Sequence, residues 1–181
     1  MILTEQHIIK KNDSFFNELD TICFLSKNLY NKANYIIRQE FILTSKEKEL
    51  GYRDKANWIR YNKIQKQLQD ENDFDYKQLP AKVSQHVLKL LDKNWVSFFR
   101  SIKDWSKNKS KYTGKPSLPR YKDKKYGRGI LIYTIQAISK TELKNGIVKL
   151  SGTNIKIRTK QDVKNIQQVR VVPKINNYVI E

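Results

Sequence analysis

The sequence predicts an α+β fold in which a sheet or small antiparallel β-barrel is interrupted by an inserted three-helix bundle. Three observations carry this expectation. A short apolar strand signal stands alone near the N-terminus, helical periodicity fills the chain from about residue 15 to 105, and beyond Gly127 short runs rich in Ile, Val, Thr and Tyr alternate with turn residues. Strands that resume after a helical stretch belong most simply to the sheet that the first strand began.

The elements follow in order. Ile2 to Lys11 holds the pair Ile8-Ile9 between polar flanks and is too short for a helix, so residues 1–12 read as the first strand. Asn12, Asp13 and Ser14 supply turn and N-cap chemistry. From Phe15 to Thr44, Leu19, Ile22, Leu29, Ala33 and Ile36 recur at helical spacing, with Cys23, Tyr30, Ile37 and Phe41 widening the stripe. Asp54 is placed to cap a second helix with the stripe Trp58, Tyr61, Ile64 and Leu68, which ends at the acidic run Asp70 to Asp75. Pro80 opens a third helix whose apolar face is Val83, Val87, Leu90, Leu91, Trp95, Phe98, Phe99 and Ile102. Residues 13–105 thus form the helical insert, 106–128 a basic loop, and 129–181 the remaining strands: 129–138, 147–150, 154–158, 169–173 and 178–181. Within the third of these, Ile155 and Ile157 alternate with Lys156 and Arg158, the pattern of a half-exposed sheet with a basic outer face. The chain stops inside the last strand pattern, as though cut short.

With 39% apolar and 11% aromatic residues, 181 residues suffice for a real core. No opening stretch has signal-peptide architecture and no run reaches the roughly 18 to 20 apolar residues that cross a bilayer, so a cytoplasmic, membrane-free protein is expected. Cys23 is the sole cysteine and His7 and His86 are far apart, which leaves no zinc-ligand spacing. The run Asp70, Glu71, Asp73, Asp75 lacks the glycine and distal Glu of a calcium loop and reads as a solvated loop. No Ser, Thr or His sits in a nucleophile context, so no catalytic residue is expected in this chain.

The charge points to a polyanion. The net charge is +18, yet residues 40–79 hold eight basic and eight acidic side chains, so the excess lies elsewhere. It concentrates in Lys103 to Arg128, KDWSKNKSKYTGKPSLPRYKDKKYGR, where ten Lys or Arg face two Asp. Trp105, Tyr112, Tyr121 and Tyr126 interleave with these charges, and Pro116 and Pro119 favour an extended backbone. Such a segment suits a phosphate backbone. Trp58, Trp95, Phe98 and Phe99, by contrast, lie at helical spacing and read as core.

Four strings, in this order, resemble the N-terminal half of TnpB: Lys27-Asn28-Leu29-Tyr30-Asn31, Leu79-Pro80-Ala81-Lys82-Val83-Ser84-Gln85, Asn94-Trp95-Val96-Ser97-Phe98-Phe99-Arg100, and Gly114-Lys115-Pro116-Ser117-Leu118-Pro119-Arg120-Tyr121-Lys122. TnpB proteins, also called OrfB-type transposases, are transposon-encoded RNA-guided DNA nucleases related to type V CRISPR effectors. The resemblance spans essentially the whole chain, and Val169 to Pro173 is similar to the last strands before the family's nuclease domain. It implies a wedge domain, an oligonucleotide-binding-like barrel, with a helical recognition domain inserted into it. The implied partners are a transposon-derived guide RNA and double-stranded DNA carrying a short adjacent motif. The implied motif readers are Tyr52, Gln85 and Thr134, with Asn57 standing in for a small hydroxyl residue that Ala56 replaces.

Together these readings nominate Tyr52, Asn57, Lys82, Gln85, Lys107, Lys109, Lys111, Lys115, Arg120, Tyr121, Lys122, Lys124, Lys125, Arg128 and Thr134 as nucleic-acid-binding residues. The RuvC-like domain and zinc ribbon of the family, with their Mg²⁺ and Zn²⁺, are expected to lie outside this chain, which itself calls for no cofactor. Two function classes stay open: a binding module that does not cut, and one part of a complete RNA-guided endonuclease whose nuclease domain is encoded downstream or separately.

Overall fold

The computed structural model describes residues 4–162 and 164–181, so the start of the expected first strand, residues 1–3, lies outside the described residues. The architecture is α+β, a mostly antiparallel sheet with several helices. Helices and strands share one hydrophobic core that runs from Leu19 and Leu29 through Leu88 and Trp95 to Leu131, Val171 and Ile180.

Strand β1 (His7–Lys10) leads through a turn in which Asp13 accepts from the Lys10 amide into helix α1 (Phe16–Glu49). The expected stripe is the buried one, with Leu19, Cys23, Leu29, Tyr30, Ala33 and Ile37 turned into the core. α1 runs past the predicted end at Thr44 and stops at Gly51, whose φ of +79° suits only glycine at low cost. There the Tyr52 amide reaches back to the Glu47 carbonyl (2.9 Å) and the Gly51 amide to that of Lys48 (3.1 Å), a Schellman closure.

Helix α2 (Tyr61–Asp70) begins later than predicted, and Asp54 does not cap it. Its cap comes from another helix: Asp92 accepts from the Tyr61 amide (3.0 Å) and takes the Arg60 guanidinium through both oxygens (3.0 and 3.1 Å). Residues 53–60 instead stay non-helical, held where the Thr44 hydroxyl bonds both the amide and the carbonyl of Asn57 (2.9 Å each). The acidic run is not wholly a solvated loop. Asp70 and Glu71 are exposed, but Asp73 is buried, caps the short helix α3 (Phe74–Lys77) through the Tyr76 amide (2.9 Å) and pairs with Lys32.

Helix α4 (Ala81–Lys107) starts just after Pro80 and packs along α1. Trp58, Trp95, Phe98 and Phe99 form a cluster closed by Phe41, with the Trp58 and Trp95 rings stacked 5.9 Å apart. These aromatics are core, as their spacing suggests.

Strands β2 (Leu131–Thr134), β5 (Gln168–Pro173) and β6 (Asn177–Ile180) join β1 in an antiparallel sheet ordered β1-β6-β5-β2. The predicted 129–138 strand is broken by a 3₁₀ turn at Ile135–Ala137. A five-residue helix that the strand reading passed over, α5 (Lys140–Lys144), follows; Ser139 caps it by accepting from the Glu142 amide. A ribbon of β3 (Ile147–Lys149) and β4 (Lys156–Arg158) completes the set, with Ile155 and Ile157 buried beneath exposed Lys156 and Arg158. An isolated bridge, Ile138–Leu150, joins the segment after β2 to the end of the ribbon, and among the described residues no ladder joins the ribbon to the four-stranded sheet, so the described pairings do not close a barrel. Between β4 and β1 the Thr159 hydroxyl donates to Glu5 (2.8 Å), beside a cavity of about 670 Å³ lined by Val148, Ile157, Val169 and Ile180.

Trp95 is fully buried and its indole N–H donates to Asn34 (3.0 Å). Replacing Trp95 with Ala is expected to cost about 3 to 5 kcal/mol, read from the shift in urea midpoint.

Candidate nucleic-acid interface

A single file of polar groups on α1 holds the basic loop. Asp20, Lys27, Asn31 and Asn34 recur at spacings of seven, four and three residues, which puts them on one side of the helix. From Pro119 to Ile130 the loop runs antiparallel to that file as an extended strap. Asn34 donates to the Pro119 carbonyl (3.0 Å), and Asn31 clamps Lys122 by donating to its carbonyl and accepting from its amide (2.9 Å each). The Lys27 ammonium donates to the Lys124 carbonyl (2.8 Å), and the Gly129 amide donates to the Cys23 carbonyl (2.8 Å). At the far end Arg128 forks onto Asp20 (2.8 and 2.7 Å). A Cβ at Gly129 would overlap the Ser26 hydroxyl and come within 2.9 Å of the Lys27 amide nitrogen, so only glycine lets the strap approach this closely.

Because the clamps grip backbone atoms, Arg120, Lys124 and Lys125 of the strap remain available, and the loop ahead of it adds further exposed cations. Lys107, Lys109, Lys111, Lys115, Arg120, Lys124 and Lys125 are exposed. Lys109 and Lys115 stand 5.3 and 5.9 Å from the Trp105 ring, and Lys125 stands 5.1 Å from that of Tyr126. Tyr121 is partly exposed and lies against Arg38 (4.9 Å). Lys122 is half-buried over Tyr30, and burial lowers its pKa. Arg128 serves differently from its neighbours: its fork is spent on Asp20, so it holds the strap in place instead of reaching outward. Burial also lowers the pKa of Lys27, which sits 3.7 Å over the Phe24 ring.

The loop ahead of the strap is fixed from α4. Asp104 accepts from Tyr112 and Asn108 (2.8 Å each), and these bonds hold its carboxyl below the usual range. Further along, Asp123 accepts from the Lys125 amide (2.9 Å) and from that of Tyr126, folding the tight turn on which both exposed lysines ride.

α4 carries a second basic feature that spacing alone reveals. Lys82, Lys89, Lys93, Arg100 and Lys107 are all exposed and fall at seven-, four-, seven- and seven-residue intervals, a straight stripe about 37 Å long. His86 lies within it, and burial, then Lys89, Lys93 and Lys82, push its pKa down. The stripe meets the strap at Lys107. Gln85, half-buried, flanks the stripe's start, one turn from Lys82.

The expected motif readers sit on three separate elements. Tyr52 is 81% exposed on the closure of α1, Gln85 is on α4, and Thr134 ends β2 with its hydroxyl buried and without a hydrogen-bond partner among the described residues. The Asn57 side chain donates to Glu40 (3.3 Å). Among the described residues no three His, Cys, Asp or Glu side chains converge to hold a metal ion, and no helix is long and apolar enough to cross a membrane. Comparison with family models and with curated proteins returned no match to this chain.

Asn31→Ala leaves the Lys122 amide and carbonyl unpaired. It should cost about 1 to 3 kcal/mol in denaturant titration and should speed tryptic cleavage at Arg120, Lys122, Lys124 and Lys125 more than elsewhere. The Asp20–Arg128 fork supplies a pH test. Arg128 donates to Asp20 and holds its carboxyl below the usual range, against a smaller opposing effect of burial. A carboxyl depressed in the folded state contributes stability above its unfolded pKa and loses it as pH falls through the folded value. The stability gap between the native chain and Asp20→Asn should therefore be widest above about pH 4 and close on further acidification.

Proposed function

We propose that this chain is the nucleic-acid-binding N-terminal module of a TnpB-like, OrfB-type protein, and that it binds without cutting. In this reading the strands are the wedge-type oligonucleotide-binding barrel, with its seam between β4 and β1, and α1 to α4 are the recognition domain inserted into it. The bound partners are a transposon-derived guide RNA and a DNA duplex bearing a short adjacent motif. Mg²⁺ and Zn²⁺ belong to a nuclease domain outside this chain.

One observation carries the proposal. Strings that resemble the family in sequence, although far apart along the chain, depend on one another in space. Lys27 and Asn31 of the first string hold Lys124 and Lys122, Asn34 just beyond it bonds both Trp95 of the third string and Pro119 of the fourth, and Asn94 donates to Tyr30 (3.0 Å). The first, third and fourth strings therefore meet in one built device, an extended basic strap laid on a helix pair. Such a device with its backbone held and its lysines outward suits phosphate contact, because pinning the backbone removes the entropy that a free loop would lose on binding. Guide pairing would read the target sequence, leaving the protein to read the short motif and the backbone.

The test is salt-dependent binding to structured RNA and duplex DNA. With roughly six to eight phosphates neutralised, the log-log slope should be about −4 to −7. Replacing Lys107, Lys109, Lys111, Lys124 and Lys125 with Gln should flatten it, whereas a flat slope in the native chain would sink the phosphate contact. Gln85→Ala should cost roughly 1 to 3 kcal/mol on the preferred duplex and little on scrambled DNA, whereas Lys124→Gln weakens both alike.

A further inference from the structure

Among the described residues three arginines lie over an aromatic ring, and two of them also hold a carboxylate. Arg60 stands 4.9 Å from the Trp58 ring and forks onto Asp92, and Arg128 stands 5.1 Å from the Phe24 ring and forks onto Asp20. Arg38 differs. It stands 4.9 Å from the Tyr121 ring, yet among the described residues no ion pair or hydrogen bond engages its guanidinium.

Its place in the fold sharpens the contrast. Arg38 falls four residues after Asn34 and so continues the file of Asp20, Lys27, Asn31 and Asn34 along α1. Those four grip the strap, and Arg38 bonds no atom of it. Its Nε is buried without an acceptor, whereas the two terminal nitrogens are not buried with it. The inner end of the guanidinium is thus packed in and the outer edge is left unmet. A planar fork of donors without a carboxylate of its own matches the paired oxygens of a phosphate.

Tyr121 supplies a second half to this arrangement. Its backbone is pinned on both sides, Pro119 by Asn34 and Lys122 by Asn31, so the ring is held in position before anything binds. The ring is 42% exposed, and among the described residues Arg38 is the sole cation stacked on it and no other ring covers it. With Arg38 over one face, the edge and the opposite face are what remain open. That is the surface on which an unpaired base stacks, and a base inside a duplex has no free face to bring there.

We propose that Arg38 and Tyr121 form a subsite for single-stranded nucleic acid, in which an unpaired base stacks on the open face of Tyr121 and a backbone phosphate takes the outer edge of the Arg38 guanidinium. The subsite rests on the phosphate-binding reading of the strap and adds a preference to it. The exposed lysines accept any polyanion alike, whereas this subsite asks for a free base.

Fluorescence anisotropy with two end-labelled probes tests this: a single-stranded oligouridylate of about ten nucleotides, and inorganic polyphosphate of similar length, which has the phosphates and no base. Arg38→Gln should weaken both probes and lower the log-log salt slope by about 1. Arg38→Lys should recover the slope, because the charge is kept, but only part of the affinity, because the fork is lost. Tyr121→Leu should weaken the oligouridylate roughly fivefold or more and polyphosphate much less, and Tyr121→Phe should change neither. Tryptic cleavage at Lys124 and Lys125 should be no faster in Arg38→Gln than in the native chain, since Arg38 bonds no strap atom. Salt-dependent native binding that Arg38→Gln leaves unmoved, or equal losses on both probes for Tyr121→Leu, would overturn the subsite and leave the strap reading standing. Faster strap cleavage in Arg38→Gln would overturn it too, by making Arg38 a clamp. A native chain that binds neither probe in a salt-dependent way would overturn both readings.

Discussion

The hydrogen bonds from one side of α1 to the strap backbone organise the molecule. α1 has a buried apolar side and, next to it, a file of groups that can donate or accept but cannot be left dry. The strap's carbonyls and amides satisfy that file, and the file satisfies the strap. The Asn31 amide does both at once, since it has a donor and an acceptor to offer one peptide segment. Neither partner is stable in this place alone: a lysine as buried as Lys27 needs the Lys124 carbonyl, and a loop with ten basic groups in 26 residues would otherwise be pushed apart by its own charge.

That arrangement separates two jobs within one segment. Backbone atoms fix position and side chains face the surroundings. It also separates residues of the same type. Arg128 and Arg120 both looked like phosphate ligands by composition, yet Arg128 forks onto Asp20 and holds the strap's end while Arg120 is exposed. The α4 stripe works by a simpler rule, a helix repeat that places exposed basic side chains in line. Its two nearby carboxylates are already engaged, Asp92 by Arg60 and Asp104 by Tyr112 and Asn108. Only Asp92 is matched by a cation; Asp104, held by neutral groups, keeps its charge beside Lys107 and tempers the stripe at that end.

Much of the fold was legible because apolar periodicity is strong where one side of an element is buried. Leu19 to Ile37 on α1, Val83 to Trp95 on α4 and Ile155 with Ile157 on the ribbon all behave as their spacing says. What was not legible depends on partners distant in sequence. Asp54 was well placed to cap α2, but Asp92 from α4 reaches the helix start and the intervening chain is held by Thr44. Asp73 looked solvated among its acidic neighbours until the fold brought Lys32 to it. Two signals were present in the residues and went unread. Ser139 three positions before Glu142 is a helix-start pattern, and Asp20, Lys27, Asn31 and Asn34 are polar residues in single file beside an apolar stripe. Of the site, the strap's charge was visible in composition and the file that holds it in the spacing along α1, but which segment the file grips was not, since the backbone groups it bonds carry no residue-type signal.

The sheet pairs its first strand with its last, His7 opposite Ile180. A ribosome adding roughly 5 to 20 residues a second would therefore hold β1 without its partner for about 10 to 35 seconds, while α1 and α4 are already complete. During that wait β1 is an unpaired edge. Its brevity, four residues ending in Lys10 and followed by Lys11, limits what a neighbouring nascent chain could add to it. Helix pairing and strap docking can come before β1 finds its partner, and this sheet is sealed when β6 arrives between β5 and β1.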